Sequence, residues 1–326
     1  MATTLDEQLT KYLGDAHSIE EQALVQMRLA PRIAHDPALA SIFREHRAQT
    51  EEHELRTRER LEARGASPSR LKEAVMKAGG VGFAMFASSQ PDTPGKLVAH
   101  AYSYEHLELA SYELLMRVAQ RAGDEETANA ARAIGDQEAA MAQRLADNFD
   151  RAAEASLRAK RSVDPKRDLV RYLADAHAIE AQAIQLLERA PKLAGDPELE
   201  RAYRDHLVET LEQQRLVAER LYAAGGSPNK LKDAAMRLGA LNWGTFFRSH
   251  PDTPGKLAAF SYAFEHLEIG GYELLRRVAG RAGDQATADL AATIAGQERA
   301  AAERIARAWD RAVDASLREV GVGAGV

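Results

Sequence analysis

The chain contains two copies of one sequence, and corresponding residues of the copies are 160 positions apart. The segment YLGDAHSIEEQA, which begins at Tyr12, returns as YLADAHAIEAQA at Tyr172, and PDTPGKL occurs unchanged in both copies. No insertion or deletion separates these landmarks. Each copy is longer than the unit of a solenoid repeat and is long enough to bury a core of its own. We therefore predict two domains of the same fold, residues 1–160 and residues 161–326.

The pattern of apolar residues is helical through almost the whole of each copy. Ala, Leu, Glu, Arg and Gln dominate the composition, and all of them favour helices. Capping residues and prolines predict four long helices per copy, beginning in copy one near Thr4, Asp36, Thr93 and Asp124, with the fourth running toward Leu157. A shorter helix after Ser67 is predicted to connect the second and third. This order indicates an all-α fold, a tandem duplication of a four-helix bundle.

The composition excludes several classes of function. The chain has no cysteine, so disulfides, thiolate catalysis and iron–sulfur clusters are ruled out, and any metal must be held by carboxylates and imidazoles. The net charge is −6 with both signs interspersed, which predicts no binding to nucleic acid. Neither an apolar run of about 18 residues nor a secretory signal is present. We expect a soluble cytoplasmic protein with no membrane association.

Glutamates interrupt the apolar faces of the predicted helices. On the first helix, at 100° per residue, Leu13 and Leu24 both lie within about 40° of Glu20, so this carboxylate is predicted to point into the core. Buried glutamates lose hydration and repel one another, so they require protons, cationic partners or metal ions. The inward glutamates are Glu20, Glu105, Glu108 and Glu138 in copy one and Glu180, Glu265, Glu268 and Glu298 in copy two.

Two alternatives to a metal site remain open at this level. The glutamates could be surface residues whose phase is misjudged, or protonated residues of a metal-free scaffold.

The second helix differs between the copies. Copy one has Gln49 and His53, and copy two has Glu209 and Gln213 at the same positions. His53 and Glu209 are therefore predicted as metal ligands, one in each copy. We do not expect the two copies to bind metal with equal affinity.

Three further pairs of polar residues lie on or near the inward faces. His17 and His177 precede the first-helix glutamates by three residues and are predicted to orient a ligand carboxylate or to be ligands themselves. The central histidines of the second helix are either ordinary core residues or ligands. Two tyrosines are predicted to form a hydrogen bond with a metal ligand or to carry an oxidising equivalent. The alternative is that they are ordinary core residues whose hydroxyl groups are hydrogen-bonded. These central histidines are His46 and His206, and the tyrosines are Tyr112 and Tyr272.

The positions of these residues resemble a known family. Glu20 on the first helix, the run Glu-His-x-Glu-x-x-x-Tyr from Glu105 and Glu265, and the Gln-Glu pairs ending at Glu138 and Glu298 are similar to the signature of the YciE/YciF-type ferritin-like family. The resemblance covers nearly the whole chain as two tandem copies. It implies ferritin-like bundles with a di-iron-type carboxylate site and an association with stress responses. The fourth helix departs from the usual ferritin pattern because no histidine follows its glutamate by three residues.

These observations lead to a functional hypothesis. Each bundle is expected to bind two metal ions, iron first and manganese as the competitor, and to react with dioxygen or hydrogen peroxide as a ferroxidase or a peroxide-detoxifying oxidoreductase. The alternative is a metal-binding or structural stress protein without turnover. The two copies are expected to pair as an intramolecular pseudo-dimer. Whether the chain also associates into homo-oligomers is left open by the sequence.

Overall fold

The chain divides into two compact units in a computed structural model that describes residues 3–68, 93–159, 164–228 and 252–322. The first unit is Met1–Arg161 and the second is Ser162–Val326. Within the described ranges the regular structure is helical and includes no β-strand. None of the helices described there is both long and apolar enough to span a membrane. The predicted all-α fold is confirmed.

Five helices of the first unit build a closed four-helix bundle. In it α1 packs against α2 and α3, α4 packs against α2 and α3, and the short α5 packs on α3. The predicted connecting helix after Ser67 lies almost wholly outside the described residues. The helices are α1 (Leu5–Ile33), α2 (Pro37–Ala63), α3 (Thr93–Arg121), α4 (Glu125–Ala146) and α5 (Phe149–Arg158).

The second unit repeats the same order of helices. One difference is that its first helix ends earlier, and a 3₁₀ turn at Ala190–Lys192 occupies the place where α1 continues to Ile33. The same pairs of helices pack together as in the first unit. The fold is therefore a tandem duplication of a ferritin-like four-helix bundle. Its helices are α6 (Pro165–Leu187), α7 (Pro197–Ala223), α8 (Thr253–Ala282), α9 (Gln285–Ala306) and α10 (Trp309–Glu319).

The fourth predicted helix is in fact two helices. It was expected to run from Asp124 toward Leu157, but α4 ends at Ala146 and α5 begins at Phe149. The side-chain amide of Asn148 donates to the carbonyl of Arg144, which favours an interruption at this point. The break lets Phe149 turn inward, where its ring packs edge-on against Tyr102 of α3. Periodicity alone did not reveal this kink because both helices bury apolar faces.

Helix ends follow the predicted capping residues. Asp36 and Asp196 each precede a proline at the first helical position, and each accepts hydrogen bonds from two backbone N–H groups of the first turn. At the other end, α3 stops before Gly123, whose φ of +70° lies in the left-handed region that glycine adopts without strain. Gly283 has the same role after α8. These caps fix the length of each helix and so the depth at which its side chains face the core.

One N-cap also ties helices together. Asp124 accepts hydrogen bonds from the backbone and hydroxyl of Thr127 at the start of α4, and it pairs with Arg60 at 3.0 Å and Arg64 at 2.8 Å from the end of α2. Partial burial opposes its ionisation, but the bonds from Thr127 and the two guanidinium groups lower the pKa of Asp124 below its ordinary value. The second unit keeps this arrangement at Asp284 with Arg220 alone.

We expect Asp124→Ala to destabilise the first unit more than Asp284→Ala destabilises the second. The first substitution removes a cap and two arginine partners and should lower the free energy of unfolding by about 2–3 kcal/mol, while the second should cost about 1–2 kcal/mol. Urea denaturation followed by circular dichroism measures both. The unit that lacks a second arginine is the matched control, because Ala224 stands where Arg64 would be. Equal losses would show that Arg64 contributes nothing.

Candidate metal centre

The predicted glutamates lie in the cores of the two bundles. Each of them is at most 2 % exposed, so none has access to bulk water. Three helices of each bundle supply them, one from the first, two from the third and one from the fourth. Helix phase therefore located these side chains as the sequence predicted. They are Glu20, Glu105, Glu108 and Glu138 in the first unit and Glu180, Glu265, Glu268 and Glu298 in the second.

Four residues of the first unit form one compact group of potential ligands. His46 of α2, Glu105 and Glu108 of α3, and Glu138 of α4 each offer one atom within 4.8 Å of the others. His46 Nε2 lies 3.0 Å from Glu105 Oε2 and 3.8 Å from Glu138 Oε2. A nitrogen and several carboxylate oxygens from facing helices can hold a metal ion.

A second group in the same bundle shares one residue with the first. It consists of Glu20, His53 and Glu138, again with ligand atoms within 4.8 Å. His53 Nδ1 lies 2.6 Å from Glu138 Oε1 and 3.8 Å from Glu20 Oε1. Glu138 thus presents Oε2 toward His46 and Oε1 toward His53. This is the placement of a carboxylate that can bridge two ions.

The second unit has only the first kind of group among the residues that the structure describes. It contains His206, Glu265, Glu268 and Glu298. His206 Nε2 lies 2.9 Å from Glu265 Oε2 and 3.3 Å from Glu298 Oε2. The other oxygen of Glu298 accepts a hydrogen bond of 2.5 Å from the amide of Gln213, the residue that replaces His53. An amide donor therefore occupies the oxygen that faces an imidazole in the first unit.

The two tyrosines lie beside the first-helix glutamates. Tyr112 donates a hydrogen bond of 2.5 Å to Glu20 Oε1, and Tyr272 donates to Glu180 in the same way. Burial and the neighbouring carboxylates raise the pKa of both tyrosines well above its ordinary value, so each hydroxyl keeps its proton. Their hydrogen bonds fix the orientation of the glutamates.

Of the two second-helix residues predicted as ligands, His53 lies in a ligand group and Glu209 does not. Glu209, predicted as a ligand, lies outside the group; its carboxylate is 3.1 Å from His206 Nδ1 and accepts from Arg304 at 2.6 Å. In the first unit, Gln49 faces His46 Nδ1 more loosely, at 3.4 Å. The sequence left the central histidines open as core residues. The signal that could have identified them is spacing, because His46 and His53 are seven residues apart and so share one helix face.

His17 does not bond the glutamate that follows it on α1. Its Nε2 lies instead 2.9 Å from Oε1 of Glu54, on α2. Both residues are buried. The contact therefore lies beside the metal groups without joining them.

Unpaired buried carboxylates test whether the site suits a metal ion. The side chains of Glu108 and Glu268 are both almost fully buried. Within the described part of the chain, none of their carboxylate oxygens accepts a hydrogen bond. Burial raises the pKa of Glu108 well above its ordinary value and raises that of Glu105 to about 8. Burial opposes ionisation of Glu138 as well, but a hydrogen bond from His53 lowers its pKa. Buried carboxylate oxygens without hydrogen-bond partners, close to imidazole nitrogens, fit a divalent cation.

We expect the metal-free protein to lose stability as the pH rises from about 5 to about 9. Burial raises the pKa of Glu20 to about 8, so this group stabilises the fold below the unfolded value of 4.5 and loses that contribution by pH 8. The carboxylates around His46 raise its pKa to about 9 against the effect of burial, and the sign is the same. Each group changes the stability by up to about 1.4 kcal/mol per pH unit.

Urea denaturation of chelated protein at pH 5 and pH 8.5 measures this change. Saturation with Mn²⁺ should remove the fall, because the cations then hold the carboxylates in their ionised form. A metal-free protein with the same stability at both pH values would contradict the expectation.

We also expect the residue beside the central histidine to set metal affinity. A carboxylate on Nδ1 makes the imidazole a stronger ligand than an amide does, so Glu209→Gln should weaken binding in the second unit about 10-fold. Gln49→Glu should strengthen binding in the first unit by a similar factor. Calorimetric titration with Mn²⁺ measures both, and the reciprocal pair serves as its own control. Unchanged affinity in both variants would show that these side chains do not act through the histidines.

Comparison with known proteins agrees with the two units. No solved structure matches the chain. A family model described as "Domain of unknown function (DUF892)" matches residues 4–158 and, a second time, residues 165–318. This family is part of the ferritin-like superfamily. The chain therefore belongs to the DUF892 family and carries two tandem copies of its domain, each with buried histidine and glutamate residues that can hold a metal ion.

Proposed function

We propose that the first unit binds a pair of iron ions, that the second binds one, and that the protein uses them to react with dioxygen or hydrogen peroxide. The observation that carries this proposal is the position of Glu138, which belongs to both ligand groups of the first unit. Its counterpart Glu298 belongs to one group and is bonded to Gln213 on the other side. We further propose that the chain is a YciE/YciF-type member of its family with a role in stress responses.

An iron pair, when bound, supplies electrons and open coordination positions for a small oxidant. The chain's own residues would prepare that site. Glu138 would hold both ions through its two oxygens, and His46 and His53 would each bind one. Tyr112 keeps Glu20 in a single orientation through its hydrogen bond and holds its own proton. Glu108 brings two oxygens that no other described side chain engages.

The size of the cavities beside the sites favours a small oxidant. One cavity in the first unit is lined by Tyr112 and Thr57, and one in the second unit by His206 and Glu265. Each has a volume of about 10 Å³, which is room for about one water molecule. Dioxygen and hydrogen peroxide, with two heavy atoms each, are among the smallest oxidants and would need the least additional space. The burial of the carboxylates keeps bulk water away and so would protect a reactive site from side reactions.

Two alternatives remain as proposals. Manganese is the competing metal, because carboxylate ligands with some imidazole suit it as well as iron. The second candidate function is a protein that binds metal without turnover, and the amide of Gln213 on Glu298 favours it for the second unit. An amide donor satisfies the hydrogen-bonding capacity of a buried carboxylate oxygen without any ion.

The exchange of one residue between the units tests the proposal. His53→Gln gives the first unit the residue of the second and should remove one bound iron(II) ion and slow iron oxidation about 10- to 100-fold. Gln213→His should add one ion to the second unit, because the new imidazole would face Glu180 and Glu298. Anaerobic equilibrium dialysis counts the ions, and stopped-flow absorbance after addition of dioxygen or peroxide follows their oxidation.

Leu55→Gln is the matched control, because it introduces the same side chain on α2 at an exposed position. It should change neither the number of ions nor the oxidation rate. Unchanged ion counts in both exchange variants would exclude a shared carboxylate. Bound iron that neither oxidant oxidises would support the non-catalytic alternative.

A further inference from the structure

The first unit contains a third group of potential ligands outside the two that share Glu138. We propose that His17, Glu21 and Glu54 form an additional site for one divalent transition-metal ion. Each residue offers a ligand atom within 4.8 Å of the other two. One imidazole nitrogen and two carboxylates form a donor set that suits Zn²⁺, Fe²⁺ or Mn²⁺. This site goes beyond the proposed function, which does not use these residues.

Two neighbouring helices build the site. His17 and Glu21 are four residues apart on α1 and therefore lie on the same face of that helix. Glu54 reaches them from α2, with Oε1 at 2.9 Å from His17 Nε2. His17 is 2 % exposed and Glu54 is 8 % exposed, whereas Glu21 is half-buried. The site is thus closed on its inner side and accessible to an ion from the side of Glu21.

The ring of His17 shows that its environment suits a ligand. Within the described residues, His17 Nδ1 has no hydrogen-bond partner, and Nε2 faces only an acceptor. Nε2 is thus the ring nitrogen that lies beside a carboxylate of this group, and an ion that binds it would replace the proton between Nε2 and Glu54 Oε1. Arg58 also approaches Glu54, at 3.4 Å, but 43 % of its side chain is exposed, so it can turn to solvent when an ion takes its place.

The third group shares no ligand with the metal centre. Glu21 follows Glu20, and Glu54 follows His53, in both cases by one residue. Successive residues of a helix point about 100° apart, so each pair of neighbours faces two different directions. Glu20 and His53 are fully buried in the bundle, while Glu21 is half-buried. Two sites on adjacent faces of the same two helices follow from this phase difference.

The second unit supplies an independent comparison. It keeps the histidine as His177, but it has Ala181 in place of Glu21 and Gln214 in place of Glu54. Both carboxylates are therefore replaced together. Joint replacement is expected when two residues serve one ion, because either carboxylate alone holds it weakly. The site is accordingly assigned to the first unit alone.

Zinc binding by the full chain tests this site. Equilibrium dialysis of metal-free protein against Zn²⁺ should show one ion fewer in Glu21→Gln and in Glu54→Gln than in the wild type. The double variant Ala181→Glu/Gln214→Glu should bind one ion more, because it rebuilds the group in the second unit. An anomalous-difference map of zinc-loaded crystals should show a peak about 2.1 Å from His17 Nε2.

The His53→Gln variant separates this inference from the proposed function. It should lose an ion beside Glu138 and keep the ion at His17. A peak at His17 with none beside Glu138 in the wild type would contradict the metal centre and support the third site. An unchanged zinc count in Glu21→Gln, together with no peak at His17, would overturn the third site. Glu21 is half-buried, so its substitution decides the matter even where Glu54→Gln does not fold.

Discussion

The neutralisation of buried carboxylate charge is the constraint on which the rest of this structure depends. Two bundle cores each contain four glutamates that bulk water does not reach. A hydrogen bond such as the one from Tyr112 to Glu20 lowers the cost of burying a carboxylate but does not remove its charge. Glu108 and Glu268 accept no hydrogen bond in the described residues, so protons or cations must meet the remainder. Long helices with fixed ends are needed because the potential ligands of each group come from different helices at a common depth.

The two units meet this constraint with different chemistry. In the first unit, His53 places a titratable imidazole against Glu138. The hydroxyl of Tyr104 in the same bundle donates a hydrogen bond to the backbone carbonyl of Ile19. In the second, an amide from Gln213 bonds Glu298, and phenylalanine replaces the tyrosine as Phe264. An imidazole can exchange its proton for a metal ion, whereas an amide keeps its donor hydrogens at every pH. Among the described residues, the first bundle therefore offers two groups of potential metal ligands that share Glu138, whereas the second offers one.

The sequence predicted the fold and the buried glutamates for the same reason. Helix phase is a property of spacing, and a carboxylate within an apolar stripe must face inward wherever the stripe does. Helix phase gives the direction in which a side chain leaves the helix, but it does not determine which partner a long side chain reaches. Glu209 reaches His206 and Arg304 at the edge of the core, and His17 reaches across to Glu54. The break between α4 and α5 also escaped prediction, since both sides of the kink keep an apolar face.

Duplication within one chain gives these differences a consequence that separate subunits would not have. Two bundles that fold from one chain are always present in equal number, so a ligand lost from one copy remains available in the other at a fixed ratio. Under the proposed function, one complete centre is enough for the chain, and the second copy needs to keep only what its own stability requires. The pattern of replacements agrees with this argument. The histidine that pairs with the first glutamate of the third helix is present in both units, as His46 and His206, whereas His53 and Glu21 are replaced in the second unit by Gln213 and Ala181. The histidine that pairs with the core carboxylates is thus kept in both copies, whereas the further histidine and glutamate of the additional ligand groups occur in the first.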